Sequence, residues 1–213
     1  MQFPAFPGMV KNRTKDEIAQ FVGTMQAAGL DPAHVATVIE FESARSWSPS
    51  IHGPKAFTDP PGYAVGLIQF APSTARGLGT TTEALEQMTF AEQLPYIVKY
   101  FHNAGITRLK RLVDYYAAVF YPSAIGTDDA HVIAKAGNPV YDANKVLDPH
   151  GNGQITTADL QAAMQAIRSS AKDFIEVAAH AIGGLSRPGK VVAGVVVTLA
   201  FVGGGLLLWR LRR

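Results

Sequence analysis

A run of 19 uncharged residues near the carboxyl end, Val191 to Trp209, restricts the folding of this chain more than any other feature. As an α-helix it is about 28 Å long, close to the ~30 Å hydrocarbon core of a bilayer. Lys190 precedes it, and a basic tail (residues 210–213) follows Trp209, as at an interfacial anchor. A buried core helix is the alternative, but it would not need the basic tail. We therefore expect a single membrane-spanning helix over residues 191–209, with its carboxyl end in the cytoplasm.

Charge separates this end of the chain from the rest. Residues 181–213 carry five basic and no acidic side chains, whereas the first 180 residues carry 14 basic and 17 acidic ones. A nucleic-acid-binding domain should be basic where it folds, so no nucleic-acid partner is expected. With 47% hydrophobic and 17% charged residues the chain is not disordered, and the absence of cysteine excludes disulfides and thiolate sites. The amino-terminal residues lack the pattern of a secretory signal.

Helical spacing dominates the first 180 residues. Thr14 and Glu17 have the spacing of a capping box, and Asp31-Pro32 indicates a second helix start. Sustained two-residue alternation of β-branched residues is absent from the sequence, so we expect a mainly α domain. The predicted helices are residues 14–29, 31–43, 66–78, 82–88, 90–104, 107–121, 128–136 and 157–181, with a loop at 46–64 and turns at 137–154.

The end of the second predicted helix carries a candidate catalytic group. Helical spacing places Glu42 on the apolar face that holds Val35 and Ile39, whereas Glu40 is expected to point away from that face. Partial burial at the carboxyl end of a helix favours the protonated form of a carboxyl group, as a general acid requires. An ordinary acid at a loop, or one paired with Arg45, is the alternative.

Two segments together resemble a known family. Glu42-Ser43, then Trp47-Ser-Pro-Ser, then Gly66-Leu-Ile-Gln-Phe-x-Pro-Ser-Thr-Ala is similar to the signature of lysozyme-like lytic transglycosylases, which cleave peptidoglycan. Met88-Thr-Phe-Ala-Glu-Gln-Leu and Asp114-Tyr-Tyr-Ala-Ala-Val-Phe-Tyr-Pro resemble segments of phage-borne members. The resemblance covers roughly residues 15–160. It implies a mainly α, lysozyme-like fold of the goose type.

The resemblance also implies a mechanism and a set of site residues. Glu42 would protonate the glycosidic oxygen between N-acetylmuramic acid and N-acetylglucosamine, then accept the proton of the muramyl 6-hydroxyl as a 1,6-anhydro ring closes. Gly66 and Gln69 would belong to the sugar-binding site, with Ser43 orienting Glu42 and Tyr63 near the rim of the cleft. No cofactor is required.

Two points stay open at this stage. The family's late Tyr-Asn-Ala-Gly motif is replaced by a stretch around Tyr121, so the cleft tyrosine is Tyr121, Tyr115 or Tyr116. A hydrolytic route would need a second carboxylate, for which Asp59 is the best candidate. The single motif carboxylate favours the non-hydrolytic route.

A twelve-residue segment, Asp148 to Asp159, matches an EF-hand-like loop. Its calcium ligands would be Asp148, Asn152, Gln154 and Asp159, with modest affinity because position 3 is a histidine and position 12 an aspartate. The alternative is a metal-free turn made by Gly153, with a threonine capping the next helix.

The expected organisation is an amino-terminal extension (1–14), the transglycosylase domain (15–160), a helix (161–182), a linker (183–190), the membrane helix and the basic tail. The expected protein is a membrane-anchored lytic transglycosylase of a phage virion, which assists genome entry with its catalytic domain facing peptidoglycan. Its partners would be peptidoglycan, the lipid membrane and other virion proteins. A bacterial envelope enzyme, a hydrolytic muramidase and a non-catalytic wall-binding protein are the alternatives.

Overall fold

The computed structural model describes residues 5–56 and 62–182, with side chains described for residues 5–53 and 62–170. Within them the chain forms nine α-helices, three 3₁₀ turns and two antiparallel two-stranded sheets, so the prediction of a mainly α domain is confirmed. The helices are α1 (Pro7–Asn12), α2 (Lys15–Ala27), α3 (Pro32–Glu42), α4 (Pro72–Gly77), α5 (Thr82–Glu86), α6 (Phe90–Asn103), α7 (Leu112–Phe120), α8 (Pro139–Ala143) and α9 (Thr157–Ile182). The strands are β1 (His52–Ala56), β2 (Gly62–Val65), β3 (Val132–Lys135) and β4 (Gln154–Thr156).

Side-chain caps set the starts of the helices. At α2 the Thr14 hydroxyl accepts from Glu17 N at 3.2 Å, and the Glu17 carboxylate accepts from Thr14 N at 2.8 Å, which completes the predicted capping box. At α3 the Asp31 carboxylate accepts from the backbone N–H groups of Ala33 and His34. These bonds satisfy donors that the first turn of a helix leaves without intrahelical partners.

Helices α3 and α7 form the centre of the core. Every residue of α7 is buried, and α3 is buried on most of its surface. The two helices pack against each other and against α9, while α2 packs against α3 and α6. A helix that is apolar on all sides lies inside a domain rather than on its surface. The end of α3, which carries Glu42, is therefore held by core packing.

Neither two-stranded sheet was predicted from the sequence. Strand β1 and most of β2 lie in the segment predicted as a loop (46–64), and β3 lies in the segment predicted as a helix (128–136). The helix prediction is wrong because β3 pairs with β4, and this pairing buries Ile133, Ala134 and Ile155. Such long-range pairing overrides local helix propensity. The predicted helix 66–78 is also shorter in the structure, because it begins only at Pro72 after a turn.

The first described helix and the start of the last one both contribute to the core. Phe6 and Met9, in the segment set apart as an extension, are 0% and 1% exposed and belong to the core. Helix α9 begins at Thr157, and its Leu160 and Met164 are fully buried. Among the described residues no helix is both long and apolar enough to span a bilayer. The predicted linker, membrane helix and basic tail, and also Asp59, lie outside the described residues.

Candidate functional site

Glu42 is the last residue of α3 and is 8% exposed. The helix ends in a tight turn, in which Ser43 N donates to Ile39 O and Arg45 N donates to Glu40 O, each at 2.9 Å. We call residues 43–51, which follow Glu42, the α3 loop. The spacing argument placed Glu42 on a buried face at the carboxyl end of a helix, and the structure has it there.

Ser43 lies beneath the site rather than on its surface. It is fully buried, and its hydroxyl accepts a hydrogen bond from Trp47 N at 3.1 Å. Trp47 is fully buried too, with its ring against those of Phe21 and Phe90 at centroid distances of 5.7 and 6.2 Å. Ser43 is therefore not positioned to contact a sugar directly. It fixes the loop that follows Glu42.

Glu40 contradicts the expectation that it points away from the buried face. It is 1% exposed, and its carboxylate accepts from Gly8 N at 3.0 Å and from Trp47 Nε1. The prediction is wrong because α1 and the α3 loop cover this face of α3. The sequence signal that could have found it is the apolar character of α3 on all sides. An acid inside such a helix must be buried and hydrogen-bonded.

The second motif forms a tight turn, residues 66–69, which we call the Gln69 turn. Val65 and Phe70 form an isolated bridge that closes it. Gln69 is 8% exposed, and its amide Nε2 donates to Gly66 O at 2.9 Å and to Ile51 O at 3.3 Å. Its Oε1 faces Gly53, where a Cβ would lie 1.9 Å away, and no described residue donates to this oxygen. The turn is thus tied to the end of the α3 loop.

Gln93 is the residue that joins these two segments, and sequence reasoning missed it. Gln93 is fully buried on α6. Its amide Nε2 donates to Pro49 O at 2.6 Å and to Leu85 O at 2.7 Å. Its Oε1 accepts a hydrogen bond from Leu67 N at 3.2 Å. A Cβ on Gly66 would lie 2.6 Å from Gln93 Oε1, so Gly66 is required for this contact. The available signal was the position of Gln93 on the apolar face of α6, between Phe90 and Leu94.

Backbone strain marks the same two segments. Among the described residues, the non-glycine residues with positive φ are Ala44 (48°), Arg45 (64°), Trp47 (52°) and Gln69 (54°). All four lie in the α3 loop or the Gln69 turn. Each such conformation costs on the order of 1–3 kcal/mol and persists only where the surroundings enforce it, most often at functional sites.

Tyr63 forms an exposed aromatic surface next to these turns. Its side chain on β2 is 49% exposed, and its ring stacks on His52 of β1 at a centroid distance of 5.6 Å. His52 Nε2 lies 2.9 Å from the Glu86 carboxylate. The Tyr63 ring is thus held flat and open to solvent on the strand that leads into the Gln69 turn.

The three candidate cleft tyrosines occupy different places. Tyr115 accepts a hydrogen bond from Asp31 N at 3.0 Å, which is at the far end of α3 and about 16 Å from Glu42 by helical rise. Burial raises the pKa of the Tyr115 hydroxyl. Tyr116 packs edge-on against Phe41, the neighbour of Glu42, with ring centroids 5.2 Å apart. Tyr121 follows the end of α7 and is partly buried. Tyr115 is therefore the least suited to line a cleft at Glu42.

The segment Asp148–Asp159, which we call the acidic loop, satisfies its first carboxylate internally. Asp148 accepts from Tyr141 OH at 2.8 Å, from Gly153 N at 2.9 Å and from Asn152 N at 3.2 Å. Burial opposes ionisation, but the hydrogen bonds from Tyr141 and the loop backbone outweigh it and lower the pKa of Asp148. The hydrogen bond to Asp148 also raises the pKa of Tyr141.

The second carboxylate of the acidic loop caps α9. Asp159 accepts from Thr156 N at 2.8 Å and from Thr156 Oγ1 at 2.6 Å, while His150 Nε2 lies 4.0 Å from its other oxygen. Asp148, Asn152 and one oxygen of Asp159 thus already accept hydrogen bonds, and a histidine lies at position 3, where a ligand oxygen would be needed. These residues fit calcium poorly. Within the described residues no three acidic or histidine side chains converge on a possible metal position. An open hollow of about 500 Å³ over residues 132–139 lies beside this loop rather than at Glu42.

Comparisons of the chain with models of protein families, with curated proteins and with solved structures found no match.

Proposed function

We propose that this protein is a peptidoglycan lytic transglycosylase in which Glu42 is the catalytic acid and base. The observation that carries the proposal is that strained backbone occurs in the same two segments as the motif residues. The left-handed non-glycine residues of the described chain fall directly after Glu42-Ser43 and at Gln69. These are the two segments that resemble the family signature. Strained backbone is retained where function requires a particular geometry.

The proposed reaction needs one carboxyl group that acts twice. Glu42 donates its proton to the glycosidic oxygen, and the bond between that oxygen and C1 of the muramyl residue breaks. The resulting carboxylate accepts the proton of the muramyl 6-hydroxyl as O6 bonds to C1. The leaving N-acetylglucosamine keeps the first proton, Glu42 regains the second, and no water is consumed. General acid–base catalysis of this kind contributes about 10²–10⁴-fold to the rate.

The neighbouring residues suit the binding and positioning roles of such a site. The exposed, immobilised ring of Tyr63 offers a flat apolar face of the kind on which sugar rings stack. Gln69 holds the turn with its amide nitrogen, and its Oε1 is buried against Gly53, so its proposed role is to position the turn. Ser43 holds the loop that follows Glu42. The proposed site therefore has its acid on a rigid helix end and its aromatic surface on the adjoining hairpin.

The test is peptidoglycan cleavage by the full-length protein in mild detergent, measured as release of soluble fragments from purified sacculi. Glu42→Gln should reduce the rate about 10²–10⁴-fold without lowering the melting temperature. Asp16→Asn, which removes an exposed carboxylate from α2, is the matched control and should cleave at the wild-type rate. Equal rates for wild type and Glu42→Gln would contradict the assignment.

We further propose that residues 191–209 anchor this enzyme in a membrane, such as that of a virion, with the catalytic domain facing the cell wall. The support is the uncharged run and its basic flanks. The full-length protein should enter the detergent-rich phase in a detergent phase-separation assay. Partition into the aqueous phase would contradict the anchor.

A further inference from the structure

The amino-terminal helix α1 packs directly on the backbone that follows Glu42. A Cβ on Gly8 would lie 2.2 Å from Arg45 O, so the two backbones are as close as a glycine allows. Asn12 Nδ2 donates to the same Arg45 O at 3.1 Å. Phe6 and Met9 anchor the helix in the core on either side of Gly8. Helix α1 thus covers a left-handed residue of the α3 loop.

Glu40 connects the same two elements from inside. One carboxylate oxygen accepts from Gly8 N in α1, and the other accepts from Trp47 Nε1 in the α3 loop. Its backbone carbonyl accepts from Arg45 N at 2.9 Å. Both carboxylate oxygens therefore receive a donor, one from α1, 32 residues earlier in the sequence, and one from the α3 loop, seven residues later. Glu40 is buried, so it has no route to substrate of its own.

We propose that α1 and Glu40 together form a positioning element for Glu42, which we call the amino-terminal brace. This inference rests on the proposed function. Ala44, Arg45 and Trp47 are held at positive φ, which the chain does not favour by itself. The brace contacts Arg45 and Trp47, and Trp47 in turn binds Ser43, the neighbour of Glu42. Loosening the brace relaxes this loop and lets the catalytic carboxyl group leave its productive orientation.

Two substitutions loosen the brace in different ways. Gly8→Ala introduces a Cβ that collides with Arg45 O. Glu40→Gln keeps the shape of the side chain but directs an amide NH₂ at one of the two N–H donors. Gly23→Ala on α2, where no heavy atom lies within 4 Å of the new Cβ, is the matched glycine control. Leu160→Ala on α9 removes a fully buried side chain and serves as the control for lost stability alone.

The experiment measures kcat and KM for soluble glycan strands with the full-length protein, below the melting temperature of every variant. It also records the Trp47 indole N–H resonance by NMR. Trp209, the other tryptophan, supplies a reference signal, and Trp209→Phe assigns the pair. Gly8→Ala and Glu40→Gln should lower kcat about tenfold to a hundredfold with KM within twofold, and should shift the Trp47 resonance. Gly23→Ala and Leu160→Ala should keep the wild-type kcat and resonance.

The outcomes separate this inference from the proposed function. The brace is overturned if Gly8→Ala and Glu40→Gln have the same kcat as Leu160→Ala, or if they leave the Trp47 indole resonance unchanged. In that case the proposed function still stands as long as the wild type cleaves glycan. If the wild type cleaves no glycan, the proposed function is overturned, and with it the catalytic role of the brace.

Discussion

The α3 loop and the acidic loop both follow recognisable sequence motifs, yet they are built in opposite ways. In the α3 loop, left-handed backbone falls on Ala44, Arg45 and Trp47, whereas in the acidic loop it falls on Gly151 and Gly153, which adopt it without strain. The first carboxylate of the acidic loop accepts hydrogen bonds from within the loop and from nearby Tyr141, while the backbone of β4 pairs with β3. The carbonyls of the α3 loop accept hydrogen bonds from distant side chains, Asn12 of α1 and Gln93 of α6.

The α3 loop is therefore the better candidate for a functional segment. A loop that satisfies its own polar groups with glycines at its turns can fold for stability alone. A loop held in strained conformations by long-range contacts has been built for a geometry that the local sequence does not favour. The motif at Glu42 is of the second kind. The motif at Asp148 places its left-handed positions on glycines and one of its carboxylates at the start of α9.

Removing the long-range contacts of Gln93 should have the largest effect on the α3 loop and the Gln69 turn. In Gln93→Leu the N–H of Leu67 and the carbonyl of Pro49 lose the partner that Gln93 supplies, whereas the Leu85 carbonyl keeps its hydrogen bond from Met88 N. At about 1–3 kcal/mol for each buried unsatisfied group, the free energy of unfolding should fall by about 2 kcal/mol or more. Urea unfolding measures it. The exposed control Gln20→Leu on α2 should change stability by less than about 0.5 kcal/mol. A loss at Gln93 no larger than the control's would refute its bridging role.

A matched pair of glycines isolates the close approach at the Gln69 turn. Gly66 and Gly126 both have positive φ, but only at Gly66 would a Cβ meet Gln93, at 2.6 Å. Gly126→Ala should cost about 1–2 kcal/mol through backbone strain alone. Gly66→Ala should cost about 1 kcal/mol more, because Gln93 must also give up hydrogen bonds. If thermal unfolding shows the same loss of stability for Gly66→Ala and Gly126→Ala, the turn does not depend on Gln93.

Substitutions in the acidic loop should change the pH dependence of stability rather than the activity. The pKa of Asp148 is lowered in the folded state, so its contribution to stability is present above its unfolded pKa and is lost as the pH falls through the lowered value. The difference in melting temperature between wild type and Asp148→Asn should therefore shrink on acidification from about pH 6 to pH 2. Tyr141→Phe removes the hydrogen bond from the phenol and should weaken the same dependence. A difference that grows toward low pH would contradict the assigned hydrogen bonds.

Calcium should have the smallest effect. Because its carboxylates already accept hydrogen bonds, we expect the acidic loop to bind calcium with a dissociation constant of about 1 mM or weaker. At 1 mM calcium this adds about 0.4 kcal/mol, or roughly 1–2 °C in melting temperature. Differential scanning fluorimetry with calcium and with a chelator measures it. A shift of about 10 °C or more would make the loop a true calcium site and remove the contrast drawn above.

Sequence reasoning reached the helices through their caps and reached Glu42 through its spacing on α3. It failed where the deciding contacts are distant in sequence. The hairpin of β1 and β2 lies in a glycine- and proline-rich segment without alternation, and β3 is a strand because it pairs with β4. Glu40 and Gln93 were missed because their partners, 26 to 44 residues away at Gly8, Leu67 and Pro49, are brought near only by the fold.

Analysis of the cleavage products tests the proposal that Glu42 cleaves glycan strands without water. Full-length protein is incubated with purified peptidoglycan, and the released fragments are identified by mass spectrometry. We expect 1,6-anhydromuropeptides, lighter by one water than hydrolysis products, from the wild type and almost none from Glu42→Gln. Fragments with reducing-end muramic acid would instead assign a hydrolase. No fragments from the wild type, or equal amounts from both proteins, would contradict the account.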